Sequence, residues 1–332
     1  MVKKLIVLLV VLCLVLASTA CSKTADTSAS TGWEPAENIQ FNVQSGAGGG
    51  SDLMARAIAE KMTTLNIITK PIVVENITGA GGVNSFNETL KAAGSPYVWQ
   101  TINSNFFTAP ITGNIKTDYT GYTILAVIGS DPMILCTAAD SPFNTLQDVV
   151  DACKADPKGI SIMIGSAGSS GSIASVMFED AAGIEMTQVP FEGGGDGLAA
   201  VMGKQVDLSW QNFGEVMGSV EGGLMKIIAV MGDERSKAAP DIPTFKEAGY
   251  DLVYEVPRAV AAPPDMPEEA LTFYQDAFTK LDADPGWQKD YLGANYITHK
   301  FAIGDEAIAI IKASYDMTLD VYKQMGLAAP GL

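Results

Sequence analysis

Two glycine-rich turns, each set between a β-type run and a helical run, constrain this chain more than any other feature. The first is Val43-Gln-Ser-Gly-Ala-Gly-Gly-Gly-Ser-Asp-Leu-Met-Ala-Arg56, following the β-type run Ile39–Val43. The second is Val73-Val-Glu-Asn-Ile-Thr-Gly-Ala-Gly-Gly82, following a run that starts at Pro71. Glycine there lets the backbone approach a ligand and aim several N–H groups at it. Ser51 stands where a serine caps the helix that follows. A helix N-terminus carries unsatisfied donors and partial positive charge, so a strand, a glycine turn and a helix in series suit a carboxylate or phosphate. The bland reading of the same glycines is turn punctuation. Neither turn is a nucleotide motif. Gly46-Ala-Gly48-Gly-Gly-Ser51 lacks the last glycine of the dinucleotide fingerprint, and the Gly-Lys-Ser/Thr of a P-loop is missing.

Further motifs follow in order: Gly165-Ser-Ala-Gly-Ser-Ser-Gly171, Ala182-Gly-Ile184, Val189-Pro-Phe-Glu-Gly193 and Gly203-Lys-Gln-Val-Asp-Leu208. Ile228-Ala-Val230, Pro240-Asp-Ile-Pro-Thr-Phe-Lys-Glu-Ala-Gly249 and Ala262-Pro-Pro264 complete the run. Each motif is weak alone; as an ordered series over residues 39–325 they resemble the substrate-binding proteins of tripartite tricarboxylate transporters, the Bug family. The resemblance implies an α/β, two-lobed, periplasmic-binding-protein-like (type II) fold, each lobe a mostly parallel sheet flanked by helices. It implies two crossings, near residues 128–133 and 252–258. Lobe one would then hold residues 37–130 plus 256–332, and lobe two residues 131–255. The chain itself alternates β-type and helical runs from Ile39 onward, the pattern of βα units. Three helical runs after Asp265 read as a terminal cap.

The N-terminus reads as a secretion signal: Lys3-Lys4, an apolar run from Leu5 to Ala17, then Ser18-Thr-Ala-Cys21. Small residues before a cysteine resemble a bacterial lipobox, which makes residues 1–20 a signal peptide and Cys21 the lipidated residue. The alternative is ordinary cleavage near Ala20. Residues 21–36, rich in Ser, Thr and Ala, read as a flexible tether. Beyond Cys13 and Cys21 only Cys136 and Cys153 remain. They read as buried free thiols, with an extracytoplasmic disulfide as the alternative.

The formal net charge of −17 disfavours nucleic acid and anionic lipid surfaces as partners. An acidic protein still binds an anionic solute where the site is made of backbone N–H groups and hydroxyls. No cofactor or metal is expected, because no Cys/His cluster has metal-ligand spacing. Catalysis has little to work with: His299 is the single histidine, and no Gly-x-Ser-x-Gly elbow is present.

Candidate ligand contacts fall at strand ends. The first turn supplies Ser45, Gly49, Gly50 and Ser51; Asp52 and Arg56 are spaced for a helical i,i+4 ion pair. Asn103 and Asn105 follow the run Val98–Ile102, at the carboxyl end where open α/β sheets bind ligands. Ser166, Gly168, Ser169 and Ser170 form a second polar turn before a helix. Phe191 stands at the position where the family has a Tyr or Phe that can wall the cleft, with core packing as the alternative. Gln211 replaces an aspartate that many family members carry, removing a counter-charge for a ligand ammonium. The first turn is smaller and more polar than the family's Pro-Phe-Pro-Pro, leaving room for a larger or wetter ligand. Arg258, one of three arginines, lies at the second crossing, where a guanidinium holds a carboxylate bidentately or pairs with an acid such as Glu255.

These readings together give a receptor outside the cytoplasmic membrane, tethered to the bilayer through Cys21. It captures a small carboxylate-bearing solute and delivers it to membrane permease subunits. The rivals are an enzyme acting on a small carboxylate in the same cleft and a sensor subunit that presents its ligand.

Overall fold

The computed structural model describes residues 32–165, 169–191, 194–236 and 239–332. Expectations for the signal, for the tether up to residue 31, and for Cys13 and Cys21 fall outside those residues, as do Ser166 and Gly168 of the second polar turn.

The chain enters on β1 (Ile39–Val43), turns through the first glycines into α1 (Gly50–Thr64), and continues as β2 (Ile72–Asn76), α2 (Val83–Lys91), β3 (Val98–Ile102) and α3 (Ser104–Ile111). Strand β4 (Thr123–Pro132) then runs almost directly into β5 (Ile134–Ala138). The middle of the chain alternates α4 (Leu146–Ala155), β6 (Ser161–Ile164), α5 (Ser170–Ala182), β7 (Thr187–Pro190), α6 (Gly194–Met202), β8 (Leu208–Gln211), α7 (Phe213–Glu221) and β9 (Met225–Val230). It returns as β10 (Glu255–Ala262), α8 (Glu268–Asp282), a short turn over Pro285–Trp287 that widens into a π-turn at Gln288–Gly293, β11 (Thr298–Ala302) and α9 (Gly304–Gln324).

The strands form two sheets, one ordered β11-β4-β10-β3-β1-β2 and the other β7-β6-β8-β5-β9. Both are mixed, which corrects the expectation of mostly parallel sheets. The β1–β2, β1–β3, β6–β7 and β6–β8 pairs are parallel, while β10 runs antiparallel to both β3 and β4, and β5 antiparallel to β8 and β9. The reason lies in the chain path. It leaves the first sheet along β4 and returns along β10, so adjacent exit and entry strands must point in opposite directions. The stretch 255–258, read as a mere crossing, is therefore the start of a central strand.

Core packing follows the apolar periodicities. Helix α1 turns Met54, Ala55, Ile58 and Met62 inward on one stripe, all fully buried. Beneath it Trp99 meets Phe41, Tyr274 and Phe278 at ring distances of 5.4, 5.0 and 5.4 Å. A large apolar cluster joins residues of both sheets, and α9 packs against α3, β4 and α5. Cys136 and Cys153 are buried and free; burial pushes both thiols up, Cys153 to about 11. His299 lies half exposed on β11 with Nε2 2.8 Å from Asp282.

Candidate functional site

Five helices begin on one cleft. Its volume is about 640 Å³, and the first turns of α1, α3, α5, α6 and α7 all line it. Each of these helices follows a strand, so the carboxyl ends of the strands deliver helix N-termini to one place. Their free N–H groups and partial positive charges favour an anion. Charged side chains contribute little to the wall: among the described lining residues only Glu215 and Arg258 carry charge.

The first glycine turn forms one wall with Ser45 to Ser51. Gly48 adopts φ 81°, a left-handed conformation that a side chain would strain. Helix α1 starts at Gly50 with Gly49 at its N-cap, two positions earlier than a serine cap at residue 51 requires. Ser51 instead accepts a hydrogen bond from Gln44 Nε2 at 3.1 Å. Gln44 is buried, tied through Gln100 and Thr101 into a side-chain network beneath the turn, so its polarity serves the scaffold and not a wetter cleft. Asp52 holds the turn from the helix side by accepting the Gly48 N–H at 2.9 Å. Asn76, at the end of the Val-Val-Glu-Asn strand, donates to Ser45 O and to Asp52, both at 2.9 Å. The two sequence motifs are thus one device, the second bracing the first. Burial pushes the Asp52 carboxyl up, but Arg56, the Gly48 amide and Asn76 outweigh it and hold the group below the usual range. The second glycine turn lies behind the cleft wall: a Cβ on Gly82 would meet the Phe86 ring at 3.0 Å and Gln44 at 3.2 Å.

Asn103 and Asn105 line the cleft with Ser104, at the start of α3. Across from them Ser169 caps α5 by accepting the Ser172 N–H, and Ser170 Oγ donates to Ser104 Oγ at 3.1 Å. That bond links elements that follow strands of different sheets. Ser45 Oγ and Asn103 Oδ1 are buried and have no protein partner, although both belong to the cleft wall.

Arg258 lies at the floor, on β10. Its Nε is 3.0 Å from Asp131 Oδ2 on β4, and Nη2 meets the same oxygen. Burial disfavours the charged guanidinium, yet Asp131 outweighs that and raises its pKa, so Arg258 stays charged. A Cβ on Gly50 would lie 2.7 Å from Nη2 and 2.9 Å from Nη1, so the guanidinium packs where only glycine leaves room. Glu215, the third residue of α7, lines the same floor, facing Gly50 of the opposite wall beside Asp131 and Arg258. Burial pushes the Glu215 carboxyl up, against the pull of Arg258 and with the push of Asp131.

The structure brings Ser45, Gly49, Gly50, Ser51, Asn103, Asn105, Ser169, Ser170 and Arg258 to one cleft. Two expected residues are elsewhere. Phe191 leaves the end of β7 and packs against the core around Met163 and Leu198, so its ring joins packing and not the cleft wall. Gln211 is buried at the end of β8 with Nε2 3.7 Å from Met163 Sδ, and the next residue, Asn212, reaches the cleft. The alternative partner proposed for Arg258, Glu255, accepts instead from Ser130 Oγ. Sequence reading missed Asn212, Gly214 and Glu215, although the same strand, turn and helix succession marks them. It also missed Asp131, 127 positions from Arg258 in the chain.

Two mixed sheets whose helix N-termini enclose a cleft define a two-lobed solute-binding protein. The sequence profile of the tripartite tricarboxylate transporter family receptor matches residues 54–298, and the chain belongs to that family. BugT of Bordetella pertussis is 28% identical over 236 residues, which cover 69% of either chain. The periplasmic binding protein BugD is 25% identical with a TM-score of 0.79, covering 89% of this chain and 99% of its own. Rpa4515 of R. palustris, solved with adipate, is 20% identical, with a TM-score of 0.82 over 89% of this chain and 99% of its own, a likeness of fold.

Proposed function

We propose that this chain captures a small carboxylate-bearing solute in its cleft outside the cytoplasmic membrane and delivers it to the permease subunits of a tripartite tricarboxylate-type transporter. The convergence of five helix N-termini on a wall of amides and hydroxyls carries this reading. Such a wall recognises an anion through amides and hydroxyls, with no free cationic side chain needed. Arg258, committed to Asp131, holds the cleft floor, and the amides hold the solute. Family membership supports the transport role, and the adipate held by Rpa4515 is a dicarboxylate bound to a protein of the same fold. No chemical step is part of the proposal; closure of two lobes on the solute is the signal to the permease. The lobes would be 37–130 plus 256–332 and 131–255, a division supported by the two sheets. Attachment of a lipid at Cys21 is a further part of the reading, motivated by the Lys3-Lys4 start and the small residues before the cysteine. Fatty-acid labelling of the full chain and of Cys21→Ala tests it; equal labelling removes the anchor.

Thermal-shift screening against a carboxylate library tests the main reading. A solute at a hundred times its Kd stabilises by roughly 2.7 kcal/mol, a readily measured rise in Tm. A library with no stabilising carboxylate, beside a non-acidic solute that does stabilise, would contradict it.

A further inference from the structure

The cleft floor holds one cation and two acids before any solute arrives. Arg258 gives Nε and Nη2 to Asp131, and Glu215 stands alongside, lining the floor with Gly50. Gly50 is the first residue of α1, the N-terminus that the glycine turn presents to the cleft. Glu215 comes from α7, after a strand of the second sheet, so it reaches across to the wall that follows the first. The expected solute carboxylate and the Glu215 carboxylate therefore compete for one patch of positive potential. Two ionised carboxylates at such spacing, shielded from water, strongly disfavour each other, and one takes a proton.

We propose that Glu215 takes up a proton from solvent when a carboxylate solute binds at the N-terminus of α1, so that the carboxyl becomes a hydrogen-bond donor to the solute. The inference rests on the carboxylate reading above and deepens it. It assigns Glu215 as a specificity-determining residue that turns from acceptor to donor. The other charged groups near it have partners of their own. Arg258 is paired with Asp131 on β4, and Asp52 of α1 is paired with Arg56. Burial pushes the phenol of Tyr291, in the π-turn beneath, far up, so it stays neutral. Burial pushes the carboxyls of both Asp131 and Glu215 up, but Asp131 is bound to Arg258 and of the two only Glu215 lines the open cleft. A solute carboxylate beside it raises the pKa further. Between the values in the free protein and the complex, binding takes up one proton, and affinity falls as pH rises through that window. Below the free value no proton moves and affinity is flat.

Calorimetry on the full-length chain tests this with adipate, malate and citrate as probes, from pH 5 to 8, in two buffers of different ionisation enthalpy. The expected result is uptake of about one proton, with affinity falling about tenfold per pH unit across the window. Glu215→Gln keeps the shape and supplies a permanent N–H donor. It should bind without proton uptake, independently of pH, and more tightly than the parent at pH 8. Binding by the parent that moves no proton overturns the inference while the carboxylate reading stands. So does a tenfold or greater weakening in Glu215→Gln confined to amino-bearing acids such as aspartate, which would make Glu215 a counter-ion for an ammonium. If neither protein binds any carboxylate at any pH, the functional reading fails first and takes this inference with it.

Discussion

Two arginine–aspartate pairs flank the same glycine turn, and they differ in what surrounds them. Asp52 and Arg56 lie one turn apart on α1; the aspartate side chain is 2% exposed and the arginine 52%. Their charges balance, water reaches the guanidinium, and the other hydrogen bonds that Asp52 accepts come from Gly48 of the turn and from Asn76. Asp131 and Arg258 come from neighbouring antiparallel strands, with side chains 3% and 8% exposed. A further acid, half-buried Glu215, lines that floor. The first pair braces a loop, and the second lies beneath the cleft with this acid beside it. Identical chemistry gives different functions because solvent screens one and not the other.

The largest expected effect is on the buried pair. Asp131→Ala leaves the guanidinium uncompensated and should cost about 3–5 kcal/mol in denaturant unfolding, whereas a loss near zero would show that water or Glu215 already satisfies Arg258. Arg258→Met should also destabilise strongly, because it leaves two acids together. Next comes Asp52→Ala, which removes the acceptor for Gly48, Arg56 and Asn76. A loss of about 1.5–3 kcal/mol is expected, with weaker carboxylate binding because the turn loosens. Gly50→Ala sets two terms against each other. Alanine favours the helix by up to about 1 kcal/mol, but its Cβ would sit 2.7 Å from the Arg258 guanidinium. Overpacking of roughly 1–3 kcal/mol should win, and a stabilised variant would mean that the guanidinium moves freely. Arg56→Met, on the exposed side of its pair, should barely move the unfolding midpoint.

A pH series sharpens the contrast. The Glu215 carboxyl is raised in the folded chain, so folding takes up a proton and that contribution to stability is lost as pH rises from the ordinary carboxylate range through the folded value. Asp52 is lowered, so its contribution holds above the ordinary value and is lost as pH falls through the folded one. Glu215→Gln should flatten the decline on the alkaline side and leave the acid limb intact. A decline unchanged by that substitution would assign it to another group.

Much of the scaffold was legible because it rests on local signals. The runs Ile39–Val43 and Val98–Ile102, the stripe Met54, Ile58 and Met62, and the i,i+4 spacing of Asp52 and Arg56 each report their own neighbourhood. Glycine and serine turns at strand ends likewise brought six expected residues to one cleft. The floor was not legible. Whether Arg258 meets a ligand or an acid depends on β10 lying beside β4, a pairing between segments far apart in sequence. Glu215 has the spacing of a capping-box acid behind Asn212, and nothing local says that it faces Gly50 across the floor. Phe191 and Gln211 were misplaced for the same reason: one residue of register at a strand end decides between core and cleft.

The most direct measurement of the central claim is a crystal structure of the chain with the tightest carboxylate from the library. The account predicts carboxylate oxygens about 2.7–3.1 Å from backbone N–H groups of the turn 49–51 and from the hydroxyls of Ser169 or Ser170, with Arg258 still on Asp131. A solute held by Arg258 with Asp131 displaced, or seated away from the helix N-termini, would contradict it.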